Sequence, residues 1–147
     1  MVGSLVWAAL MVASMLAYQW WMFGLLTFNL GLLAEMYFFG GIIGWITALP
    51  IARLITFRSR PETRFAAHFF GLSVSTISFT AFLFSMHYRL FYSQWHEPIQ
   101  TLHGLIAFLE TGIVAVYQFM VLGMPQFVPV GFPALIVISH VLTKRMR

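Results

Sequence analysis

Between Val2 and Phe57 only Glu35 and Arg53 carry charge, and no other feature of the chain restricts its fold as much. As one helix that stretch would be roughly 80 Å long at about 1.5 Å per residue, against a hydrocarbon core of about 30 Å. It must therefore fold back on itself in lipid. Composition agrees, since charged residues make up 8% and hydrophobic residues 61% of the chain. A soluble domain covers its surface with about 25% charged side chains. A soluble enzyme, a disordered tail and a secreted disulfide scaffold are excluded, the last because there is no cysteine. The same absence removes thiolate metal sites and cysteine nucleophiles.

The expected fold is an all-α polytopic bundle forming a single membrane domain over residues 1–147. Gly24, Thr27, Asn29 and Gly31 mark the first turn, with Tyr18, Trp20 and Trp21 before it suited to an interfacial belt. The spans then fall near 3–23, 32–55, 65–88 and 101–123. The first run has no basic n-region and reads as a span rather than a signal peptide. Residues 126–142 are apolar but short, and they hold Pro129, Gly131 and Pro133. They read as a re-entrant or interfacial helix; the alternative is a fifth span in which the prolines sit at a helix start.

The net charge of +4 is not a nucleic-acid signature, because of where it lies. Arg53, Arg58, Arg60 and Arg64 sit in one short segment, and Lys144, Arg145 and Arg147 end the sequence. Basic residues at the ends of apolar runs set topology and meet headgroups. Four crossings leave both clusters, and both termini, on the cytoplasmic side, as in a bacterial inner-membrane protein.

Small residues let helices approach closely in lipid. Ala9, Ala13 and Ala17 form one such stripe; Gly40, Gly44 and Ala48 form another. Both predict helix packing inside the bundle, or an oligomer or partner-subunit contact along one stripe.

Glu110 falls near the middle of the fourth expected span, where a carboxylate costs about 2.5 kcal/mol or more. It is expected to face the bundle, neutral or hydrogen-bonded, near hydroxyls of the third span. The expected intramembrane polar site is Glu110 with Ser75, Ser78 and Gln118. Two lesser possibilities concern histidines. His87, His96, Glu97 and His103 gather near the outer loop, and imidazole with carboxylate suits a divalent metal. Thr101-Leu102-His103-Gly104-Leu105-Ile106-Ala107 resembles the Leu-His-aromatic-x-x-Ala element of membrane b-type cytochromes, with Gly104 at the aromatic position. That resemblance implies haem b between His87 and His103, and between His68 and His140. Ser85-Met86-His87-Tyr88 is similar to the Met-His-Tyr element of some membrane sensor domains. No resident cofactor is expected otherwise.

Two functional readings stand ahead of these. The first is a transport or channel-type unit with Glu110 as its protonatable centre. The second is a non-catalytic accessory subunit of a larger membrane assembly, or a homo-oligomer, supplying packing surface. With no aspartate, no cysteine and no nucleotide loop, enzymatic chemistry has little to work with beyond His96, Glu97 and Arg89 at the outer interface.

Overall fold

A computed structural model describes residues 2–26, 29–57, 59–92 and 100–145. Arg58 and Arg147, with His96 and Glu97, lie outside the described residues. The elements are α1 (Val2–Phe23), α2 (Leu30–Ile55), α3 (Pro61–Tyr92), α4 (Leu102–Gln118) and α5 (Gly131–Arg145). A wide turn over Phe119–Gly123 and a tight one over Met124–Phe127 connect the last two. Four helical stretches, the fourth being Leu102–Phe127, are long and apolar enough to cross a membrane. At 15 residues, α5 is about 22 Å long, too short to cross alone.

Local chemistry sets the ends. Gly24 (φ 59°) and Asn29 (φ 60°) take the left-handed backbone of the first turn, the region that glycine and asparagine tolerate best. Pro61 begins α3 with Glu62 in the first turn; a proline there loses no helical hydrogen bond and a carboxylate favours the positive helix end. The helix therefore starts within the basic connection, earlier than the apolar pattern predicts. Thr101 caps α4, its hydroxyl accepting from Gly104 N at 3.0 Å.

Close approach centres on α2. A Cβ on Gly40 would sit 3.0 Å from Thr80 Cα, and one on Gly44 2.7 Å from Thr76 Cα. On the other flank, a Cβ on Gly41 would lie 2.9 Å from Ala8 Cα. The Gly40–Gly44–Ala48 stripe is thus used inside the bundle, against α3. The alanine stripe of α1 is not: Ala9 and Ala13 are exposed and Ala17 is half-buried. Expectation failed there because Ala8 meets Gly41, and a neighbouring residue lies about 100° round the helix. Ser4, Trp7, Met11, Ser14 and Met15 face inward instead.

Two apolar clusters stack along the bundle. One holds Trp7, Met11, Ala48, Leu72 and Leu135; the other holds Met15, Tyr37, Ala81 and Phe119. Phe127 packs against both. Later residues of the fourth crossing meet earlier residues of α3. Gly112 lies beside Ser85 and Arg89, the Phe119 ring is 6.0 Å from Phe84, and the Phe132 ring is 6.3 Å from Phe69. Consequently α5 continues the path of α4 along α3. Arg53, Arg60, Arg64, Lys144 and Arg145 all come to one end of the bundle, while Asn29, His87 and Arg89 mark the other. Leucine, isoleucine, valine and phenylalanine cover the outside, with Leu54 80% and Phe57 81% exposed, a surface that suits lipid and not water.

Candidate functional site: a polar cleft at a broken helix

Proline chemistry breaks the fourth crossing. Pro125 has no N–H for the carbonyl four residues earlier, and its ring would collide with it. The helix widens before it, Met124 N donating to Phe119 O, then tightens, Val128 N donating to Pro125 O at 3.1 Å. Pro129 extends the interruption. Helix resumes at Gly131, with Pro133 in the first turn, where proline is tolerated.

Backbone groups freed inside a bilayer must find partners within the protein. Here three side chains supply them. Ser14, fully buried, donates to Gln126 O at 2.8 Å and accepts from Val130 N at 3.1 Å and Gly131 N at 3.0 Å. The Tyr37 hydroxyl donates to Gly123 O at 2.6 Å. Gln126 Nε2 donates to Leu122 O at 3.0 Å. Tyr37 is held in place by the Phe127 ring, centroids 4.8 Å apart.

A cleft of about 650 Å³ opens beside this break, lined on its polar side by Gln19, Asn29, Tyr37, His87, Gln118 and Gln126. It leads toward the end of the bundle opposite Arg53, Arg60 and Arg64. No carboxylate, lysine or arginine lines it among the described residues. At its wall, Gln126 is 5% exposed, and its Oε1 is buried without a hydrogen-bond partner. An unmet buried acceptor costs about 1–3 kcal/mol, which a bound N–H or O–H donor would recover.

Of the residues expected to form the polar site, the structure brings only Gln118 to this cleft. Glu110 is exposed, not turned toward the third span. On that part of α4, Phe108 lies under the Arg89 guanidinium and Gly112 faces Ser85. Glu110 is about 200° round the helix from both. Small residues, Gly104, Gly112 and Ala115, decide which face of α4 packs. Because α5 continues the crossing, Glu110 also lies near the Arg89 end and not midway. Ser78 is exposed and Ser75 half-buried. Thr76, Thr80 and Ser85 are the buried hydroxyls of α3; of these, Thr76 and Thr80 are engaged, Trp7 Nε1 donating to Thr76 Oγ1 at 3.0 Å and Thr80 Oγ1 donating to Thr76 O at 2.8 Å.

The histidines stand in different surroundings. His68 is buried, with Nδ1 2.7 Å from Arg64 O, whereas His140 is exposed, as are His87 and His103. Among the described residues no group of three or more potential metal ligands gathers. Sequence reasoning overlooked Ser14, Gln19, Tyr37 and Gln126. The available signal was the proline series ahead of α5, which marks a break whose backbone needs partners. No protein family, curated protein or solved structure matches this chain.

Proposed function

We propose that this integral membrane protein is a transport-type unit that takes a small, uncharged, hydrogen-bonding solute into the Gln19–Gln118–Gln126 cleft. The observation carrying this reading is the unpartnered Gln126 carbonyl oxygen at a helix break. Interrupted helices in transporters characteristically border the substrate site, and a mostly apolar pocket with few convergent polar groups is the usual form of a small-molecule site. The uncharged lining among the described residues favours amides and polyols over ions. By the positive-inside tendency, the cleft opens away from the cytoplasm.

The test is solute flux into proteoliposomes, followed by light scattering with urea, acetamide and glycerol. At least one should enter faster than into protein-free vesicles. Gln126→Leu, which removes the acceptor, should slow it about tenfold, the rate equivalent of about 1.4 kcal/mol. Glu110→Gln, outside the cleft, should leave flux unchanged. Equal rates in wild-type, Gln126→Leu and empty vesicles would sink the proposal.

A second reading, the accessory subunit, draws on a different observation. The fourth span is the least buried of the four, and its outer face presents Ile106, Glu110, Ile113 and Tyr117. A carboxylate on an apolar face favours a neighbour that can hydrogen-bond it. The chain lacks cysteine, so Ile113→Cys gives a unique cross-linking site. Cross-linked adducts in native membranes would support assembly through α4; an uncross-linked monomer would oppose it.

A further inference from the structure

Inward of the glutamine cleft lies a smaller cavity of about 180 Å³. Two helices fix its place. On α1, Tyr18, Gln19 and Phe23 line the cleft, whereas Trp7 and Met11 line the cavity. On α3, Phe84 and His87 line the cleft, whereas Ser73, Thr76 and Ile77 line the cavity. Each helix passes from one space to the other over about 10 Å, at about 1.5 Å per residue. Between the two spaces stands Phe127. It lines the cavity, and its ring packs on two rings of the cleft wall, Tyr37 at 4.8 Å and Phe119 at 6.3 Å. We propose that Phe127 is the gate of the cleft and opens by swinging its ring into the cavity behind it. This gate rests on the transport reading above and names what regulates passage beyond the solute site.

Size and chemistry permit the swing. An apolar cavity of about 150 Å³ stays dry and takes up benzene, so the space here suits a phenyl ring. On its wall the Thr76 hydroxyl already accepts from Trp7 Nε1 at 3.0 Å, which leaves mainly apolar surface to meet that ring. The backbone is anchored on both sides of Phe127: Ser14 holds Gln126 O before it, and Val130 N and Gly131 N after it. A change of χ1 between staggered wells, about 120°, therefore moves the ring while the helix stays. The widened turn over Phe119–Gly123 is of a kind that recurs at functional sites.

Met11→Cys places a thiol in the cavity of an otherwise cysteine-free chain. A charged methanethiosulfonate reaches it through water, past Phe127, and not through lipid. In this background Phe127→Ala should speed modification about tenfold, equivalent to about 1.4 kcal/mol off the barrier, and should speed solute flux in proteoliposomes. Phe127→Leu, which keeps an apolar anchor but shortens the plug, should act in the same direction and serves where Phe127→Ala does not fold. Ser73→Phe, which fills the cavity without lining the cleft, should slow both processes. Val74→Phe, on the outer side of α3 at 60% exposed, should change neither. Equal modification rates with and without the Phe127 and Ser73 substitutions overturn the gate, whether or not any solute crosses. Flux that needs Gln126 yet ignores these substitutions also overturns it and leaves the transport reading standing. Slowing by Val74→Phe equal to that by Ser73→Phe overturns it as well, since the effect would then be a general distortion of α3. Modification that follows Phe127 and Ser73, in protein that passes none of the solutes, would count against the transport reading alone.

Discussion

Ser14 does more for the interrupted helix than any other single side chain. It meets one carbonyl and two N–H groups across the break, from a different helix. Ser14→Ala leaves two buried groups and one part-buried group unsatisfied, and at about 1–3 kcal/mol for a buried orphan the expected loss is about 3 kcal/mol of stability in detergent. Thr47 is the control. Its hydroxyl donates to Ile43 O within its own helix at 2.8 Å, a carbonyl that helical geometry already provides for. Thr47→Val should change stability by less than about 1 kcal/mol. Unfolding curves for the two variants in one detergent check the difference; equal effects would remove Ser14 from its bridging role. None of this is visible from serine as a residue type, since α1 also contains Ser4 and the third span several more. Only the partner across the fold distinguishes them.

At the scale of elements, α2 is the packing centre because its glycines admit backbone on two flanks. Gly44→Leu places side-chain atoms where Thr76 backbone stands, 2.7 Å from the position of the first added carbon. The helices must separate, and the expected loss exceeds about 3 kcal/mol, the upper end for overpacking. Ala13→Leu points outward and should be tolerated within about 0.5 kcal/mol. Yield and thermal unfolding of the two proteins separate these outcomes. The glycine series was legible as a contact stripe because its spacing repeats every turn. The alanine series has the same spacing and no such role. Periodicity tells which residues share a face, and the shape of the neighbour tells which face is used. Likewise Pro129, Gly131 and Pro133 announced an irregular segment, but not that Gln126 ends with a buried free oxygen.

For the whole molecule, the gathering of Arg53, Arg60, Arg64, Lys144 and Arg145 at one end follows from three antiparallel contacts and a broken fourth crossing. Single cysteines in the cysteine-free chain test this arrangement. With an impermeant maleimide on sealed, right-side-out vesicles, Asn29→Cys should label readily and Lys144→Cys only after permeabilisation. Labelling of both from outside would mean that α5 departs from the path proposed for it. A carboxylate at the centre of the bundle would have organised the molecule around one charge; with Glu110 outside, a neutral polar cleft is left as the interior feature.

Membrane residence, helical class and the number of long apolar helices were determined by the sequence alone. Hydropathy is a local property, and lipid leaves the backbone few ways to satisfy its hydrogen bonds. The tertiary structure decided which stripe packs, where Glu110 points and which side chains serve the break. Those outcomes depend on rotations of about 100° per residue and on backbone distances near 3 Å between helices far apart in the chain. Residue type does not encode such relations; they exist only once the helices are side by side.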